Sequence, residues 1–252
     1  MADRGEWLRE LGLAPTWRLR DTAGDRGTSG ARVPVPASDT AAGTSAAPAP
    51  VALLTPADRR AHIAALDWPA FAADVDGCTA CGLCRTRNRA VPGVGDRRAE
   101  WLFVGEAPGA EEDAKGEPFV GQAGRLLDNM LAALGMRRGA NVYIANVLKC
   151  RPPNNRAPEP LEAEACRPYL ERQIALLQPK LIIALGKSAA TQMLNVDASI
   201  ASLRGRVHRY QGVPLIVTYH PAYLLRNLPD KAKAWEDLLF ARRTVASTPP
   251  AA

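Results

Sequence analysis

Four short runs of this chain are almost continuously apolar, and amphipathic segments of helical period lie among them. The runs are Trp101-Leu102-Phe103-Val104, Val142-Tyr143-Ile144-Ala145, Leu181-Ile182-Ile183-Ala184-Leu185 and Leu215-Ile216-Val217-Thr218-Tyr219. None alternates, so each suits a strand buried on both faces. Leu126, Leu127, Met130, Leu131 and Leu134 recur at helical spacing, and Gly135 closes that segment. A second helix is expected after Pro160, with Glu162 and Glu164 in its first turn, where the helix dipole favours carboxylates. Lys231–Arg243 reads as a closing helix. Strands and helices in alternation predict an α/β fold with a four-stranded parallel central sheet covered on both faces.

In such a sheet, ligands bind beyond the carboxyl ends of the strands. The first run leads into Gly105-Glu106-Ala107-Pro108-Gly109, the second ends at Asn146 and the third at Gly186-Lys187-Ser188. The fourth leads into His220-Pro221-Ala222-Tyr223. Parallel topology therefore gathers Glu106, Asn146 and His220 on one rim. His62 and His208 lack that context and read as surface or phosphate-side residues.

Composition divides the rest of the chain. Residues 21–53 are rich in Ala, Gly, Pro, Ser and Thr and nearly free of large apolar groups. Such a stretch buries too little surface to offset its ordering entropy, so it reads as a tether. Ahead of it, residues 1–20 carry Trp7, Leu8, Leu11, Leu13, Trp17 and Leu19 among arginines. That stripe reads as a short helix stopped by Gly12, either folded back on the core or acting as a docking peptide. The globular part is set at 54–245, with 246–252 as a tail. With 252 residues and 47% hydrophobic content, the chain supports one sizeable core. A net charge of +6 permits a nucleic-acid partner without requiring one. No apolar run is long enough for a membrane span, and the first twenty residues lack the apolar core of a signal peptide. A cytoplasmic chain is expected.

Cysteine is scarce and clustered. Cys78 and Cys81 form a C-x2-C couplet, Cys84 follows at the same spacing, and Cys150 and Cys166 lie about seventy residues on. Thiolates from two distant segments suit a metal centre that cross-links them. Zinc and an iron–sulfur cluster both fit; the loose second couplet and the lack of a neighbouring histidine favour the cluster. In a cytoplasmic chain a disulfide framework is not expected.

Three motifs, in order, carry a resemblance. Gly105-Glu106-Ala107-Pro108-Gly109 with Glu111-Glu112-Asp113 and Pro118-Phe119-Val120-Gly121 resembles the first motif of the family 4 uracil-DNA glycosylases. Asn146-Val147-Leu148-Lys149-Cys150-Arg151-Pro152-Pro153 resembles the second, and His220-Pro221-Ala222-Tyr223-Leu224-Leu225-Arg226 the third. The similarity spans about Cys78 to Arg243. It implies a three-layer α/β/α fold, removal of uracil from single- and double-stranded DNA, and a [4Fe-4S] cluster on Cys78, Cys81, Cys150 and Cys166. Cys84 has no counterpart in that ligand set, although spacing alone admits it. A neighbouring branch cross-links to the abasic sugar through a histidine in an inserted basic loop; Arg151–Arg156 holds no histidine, which argues against such capture.

The resemblance also assigns roles. An extruded uracil would stack on Phe119 and be lined by Glu106, Ala107 and Pro108. Asn146 would read N3–H and O4, an edge on which cytosine presents the opposite pattern. His220 would donate toward O2 of the departing anion. In the best-known uracil glycosylase family an aspartate stands where this chain has Ala107, so water falls to Glu106 or Glu112, with Glu112 preferred. Glu112 and Asp113 otherwise read as a solvated acidic face. Arg204, Arg206, His208 and Arg209 form a basic run suited to phosphates, and Arg226 adds a further cation. Leu224 or Leu225 is expected to fill the gap left by the flipped base, or both begin a packed helix. Residues 4–20 resemble the opening segment of the psi subunit of the bacterial clamp loader, which docks on the loader's ATPase subunits. The competing readings are a non-catalytic iron–sulfur module that binds DNA and a zinc-bound regulatory α/β protein. A monomer at the nucleoid is expected.

Overall fold

The computed structural model describes residues 55–247, so the readings made for residues 1–20 and 21–53 and for the last five residues lie outside it. The strands are β1 (Val94–Gly95), β2 (Trp101–Gly105), β3 (Val142–Asn146), β4 (Leu181–Leu185), β5 (His208–Tyr210) and β6 (Val213–Thr218). The helices are α1 (Pro56–Ala65), α2 (Trp68–Gly77), α3 (Ala110–Lys115), α4 (Gln122–Ala133) and α5 (Pro160–Leu177). They continue with α6 (Lys187–Leu194), α7 (Ile200–Leu203), α8 (Pro221–Leu224) and α9 (Asp230–Ser247).

The four apolar runs are the parallel centre of the sheet, but the sheet has six strands, in the order β1-β3-β2-β4-β6-β5. The expected four-stranded sheet is corrected at its edges, where β1 pairs antiparallel with β3 and β5 antiparallel with β6. Both edge strands are too short, and β5 is too polar, to form an apolar run. His208 and Arg209 are ladder residues of β5 as well as members of the basic run.

Two clusters show why the central strands are apolar throughout. Leu102, Val104, Ala145, Ile182, Ala184, Leu215 and Val217 face α5 and α6, meeting Leu170, Ile174, Ala189, Ala190 and Met193. Trp101, Phe103, Ile144, Ile183 and Ile216 face α4 and α9, meeting Leu127, Leu131, Leu238 and Ala241. Successive side chains of a strand alternate faces, so a sheet covered twice needs both sets apolar. The result is the three-layer α/β/α arrangement.

Chain order opens a crevice. From β2 the chain passes to β3 on one side, then returns across to β4 on the other. Neighbouring loops diverge at such a switch point, and the carboxyl ends of β2, β3 and β6 border the gap. The helices α1 and α2 came without a sequence expectation. Thr55 and Asp67 cap them, and Ile63, Leu66, Phe71 and Val75 pack with Tyr169 of α5. Their packing delivers Cys78, at the carboxyl end of α2, to the flank of α5.

Candidate functional site

A cavity of about 520 Å³ lies beyond the carboxyl ends of β2, β3 and β6. Its walls include Glu106, Ala107, Pro108, Glu112, Phe119, Asn146 and His220, all singled out from the sequence. The Phe119 and His220 rings stand 5.4 Å apart, tilted by 30°. Asn146, at the end of β3, is almost fully buried, and its Oδ1 has no hydrogen-bond partner; it is the only such buried side-chain atom among the described residues. A buried acceptor left unpaired is costly and marks a place for a ligand donor.

Gly105 makes this convergence possible. A β-carbon there would lie 2.5 Å from Asn146 Oδ1 and 2.6 Å from the Phe119 ring. Gly186, after β4, does the same for His220: its φ of +92° suits glycine, and a β-carbon would fall 2.8 Å from that of His220.

The Phe119 loop is under tension and tied down. Phe119 has a φ of +55°, unusual for an aromatic residue. Arg138 donates to the carbonyls of Pro118 and Phe119, at 2.8 Å each. Glu112 takes the other side: Oε1 accepts from the Val120 and Gly121 N–H groups, and Oε2 from that of Gly109. This corrects the reading of Glu112 as a solvated face. The carboxylate preferred for water is engaged in holding the loop. Asp113 is buried and accepts from the main chain and side chain of Asn88.

Glu106 is different. It is partly buried in the cavity wall, within reach of Ser188. Burial raises its pKa above the usual carboxylate range, with Ser188 opposing.

His220 occupies the N-cap of α8, and its Nδ1 accepts from the Ala222 N–H at 3.1 Å. That bond needs a bare Nδ1, so in the neutral ring the proton sits on Nε2. Burial, followed by the charge of Arg226, holds the imidazolium down to about 4, with Glu112 pulling the other way. The other histidines are engaged elsewhere: His62 with Asp74 and His208 with the Leu203 carbonyl.

At the mouth, Arg226 and Tyr223 line the cavity beside Asn155 and Arg156. Leu225 is exposed, whereas Leu224 is buried against Tyr219 and Ala234. Of the two wedge candidates only Leu225 is available at the surface. Arg204 also departs from expectation. It pairs with the buried Asp237 at 2.6 Å and stacks on Tyr219, so it braces the molecule and is not a free phosphate contact. Arg206 is exposed, with a bond to the Ser202 carbonyl, and Arg209 donates to the Gly212 carbonyl.

Cys78, Cys81, Cys84, Cys150 and Cys166 line a second, smaller cleft. Cations and amides point at the sulfurs: Arg59 donates to Cys78, Arg87 to Cys150 at 2.9 Å, and the Lys149 N–H to Cys166. Burial pushes the Cys166 thiol up to about 12 and draws the Lys149 ammonium down to about 8. Among the described residues no three metal-ligating side chains gather tightly enough for a single ion. Arg138, Ser188, Tyr223 and Lys149 were not singled out from the sequence. Ser188, Tyr223 and Lys149 stood in the rim and motif sequences without a role of their own, and Arg138 left no signal.

The family model of the uracil DNA glycosylase superfamily matches residues 92–239. A type-4 uracil-DNA glycosylase of Archaeoglobus fulgidus is 48% identical over 160 residues, covering 60% of this chain and 80% of that protein. One of Thermotoga maritima is 47% identical over 155 residues, 61% of this chain and 80% of the relative. A type-5 uracil-DNA glycosylase of Pyrobaculum aerophilum is 31% identical over 158 residues, 56% and 69% of the two chains.

Proposed function

Because the chain belongs to the uracil DNA glycosylase superfamily, in its type-4 branch, we propose that it removes uracil from DNA by hydrolysis of the N-glycosidic bond, the opening step of base excision repair. The observation that carries this reading is the unpartnered Asn146 Oδ1, buried in the cavity that Phe119 and His220 also line. Uracil N3–H supplies the missing donor. Cytosine has a bare N3 there and would leave two acceptors facing each other.

The nucleotide must leave the stack to reach this cavity. Phe119 gives the ring a platform, and Leu225 is the side chain free to occupy the vacated step. Arg226 and Arg206 are the cations for the phosphates. As the C–N bond breaks, negative charge collects on the uracil ring and positive charge on the sugar. His220 donates Nε2–H toward O2 and stabilises the anion without changing its own charge. Glu106, whose carboxylate is not tied to the loop, directs the attacking water and faces the cationic sugar. Burial raises its pKa, in the direction a general base needs. Ala107 has no group to contribute.

The five cysteines that line the second cleft and the donors aimed at three of their sulfurs fit a cluster held by thiolates. In a cluster each thiolate meets its own iron. Cys78, Cys81, Cys150 and Cys166 would hold a [4Fe-4S] group, and Cys84 flanks it. Such a group supplies a cross-link between the segment after α2, the loop after β3 and α5; the hydrolysis needs no electron from it. For residues 4–20 the reading remains a docking peptide for the clamp loader.

The test is a release assay on oligonucleotides carrying one uracil, hypoxanthine or cytosine. Free uracil is expected from single- and double-stranded DNA, and none of the cytosine. A brown protein absorbing near ~400 nm, as iron–sulfur thiolates do, that releases no base would contradict the enzyme reading.

A further inference from the structure

Lys149 is among the largest fully buried side chains of the described residues; it lines the cysteine cleft and reaches the main chain of Asn146, which lines the larger cavity. Its main-chain N–H donates to Cys166 Sγ at 3.3 Å, and it helps line the cysteine cleft. Its Nζ turns the other way and donates to the main-chain carbonyl of Asn146 at 2.6 Å and to Gln173 Oε1. Gln173 in turn donates to the Pro92 carbonyl, which ties α5 to the segment before β2. A buried ammonium is tolerated only where opposite charge and acceptors surround it. No carboxylate forms an ion pair with Lys149 among the described residues, so the Asn146 carbonyl and Gln173 Oε1 are the acceptors that meet its Nζ.

We propose that Lys149 is a positioning residue that couples the cysteine centre to Asn146: its main-chain N–H holds Cys166 Sγ, and its Nζ fixes the Asn146 main chain so that its carboxamide meets the base. The cysteine centre then has a purpose beyond cross-linking, because it sets the aim of the group that tells uracil from cytosine. This inference rests on the proposed glycosylase reading. It extends that reading from the pocket to the residue behind it.

Lys149→Met keeps the length and removes the charge and donors. In the full-length, iron-loaded protein, we expect iron and sulfide per chain and the absorbance near ~400 nm to match wild type. We expect kcat for uracil release and affinity for free uracil, measured by equilibrium dialysis, each to fall about tenfold, one lost hydrogen bond's worth of binding, with KM for DNA little changed. A cross-link alone would not produce that split. Wild-type kcat and uracil affinity in the loaded variant would overturn the proposal. So would losses that merely track missing iron. If Lys149→Met does not fold, Gln173→Leu replaces it, removing the side-chain acceptor of Nζ. The same split is expected there, and wild-type values overturn the idea. Wild-type protein run alongside keeps the failures apart: no uracil release by wild type sinks the glycosylase reading, whereas normal release by both sinks only the role of Lys149.

Discussion

His220→Ala is expected to slow single-turnover uracil release by about 10²–10³-fold, the usual cost of deleting a donor aimed at developing negative charge. The imidazole has two jobs here, and the substitution removes both. Nδ1 caps α8 through the Ala222 N–H, and Nε2 is left to donate into the cavity. Loss of the cap alone costs about 1 kcal/mol of stability. His220→Asn separates the two, because asparagine is a good N-cap but is shorter. It should recover stability and not rate.

The same geometry sets the pH dependence. The folded-state pKa of about 4 lies below the ordinary 6.5, so the neutral ring is the working form at every pH above about 4. The His220 contribution to activity should be flat from pH 8 to 5 and be lost only as pH falls through about 4. The linkage to stability has the matching sign. The unfolded chain binds the proton first, so the contribution of His220 to stability is whole above about 6.5 and declines as pH falls from there toward 4. A rate that falls with a midpoint near 6.5 would show that the ring is not buried and capped as described.

Asn146→Ala is expected to reduce uracil release by at least about tenfold to a hundredfold, since a polar contact in a closed pocket is worth about 1–3 kcal/mol. Cytosine should remain uncut, because removing the reader creates no partner for it. The melting temperature gives an independent check. Oδ1 is unpaired in the free protein, so truncation removes a buried, unsatisfied acceptor and leaves an opening already continuous with the cavity. Stability should hold or rise slightly. A variant that loses activity by unfolding would mean that Asn146 is structural.

Much of the fold was legible because a doubly covered parallel sheet leaves a strong mark: four apolar runs, each followed by a distinctive rim. β1 and β5 left none, being two and three residues long at the edges, where each has a single strand neighbour. Within the site, residue type and rim position were enough to bring Asn146 and His220 into one cavity, since both stand where a strand ends. They were not enough for Glu112, because a carboxylate in a motif looks the same whether it receives protons from water or from peptide N–H groups. Arg204 is the mirror case: a basic run looks like a phosphate site until Asp237, thirty-three residues on, is seen beside it. Leu224 and Leu225 are neighbours in sequence, and only helical phase decides which one is buried. Arg138 bonds across nineteen and twenty residues to a strained loop, a relation that no local pattern encodes.

The most direct measurement is a crystal structure of the full chain with free uracil. The ring should lie against Phe119, with O2 at His220 Nε2 and N3–H on Asn146 Oδ1. Uracil bound elsewhere, or a pocket that stays filled by its own side chains while the enzyme still releases base, would contradict the account.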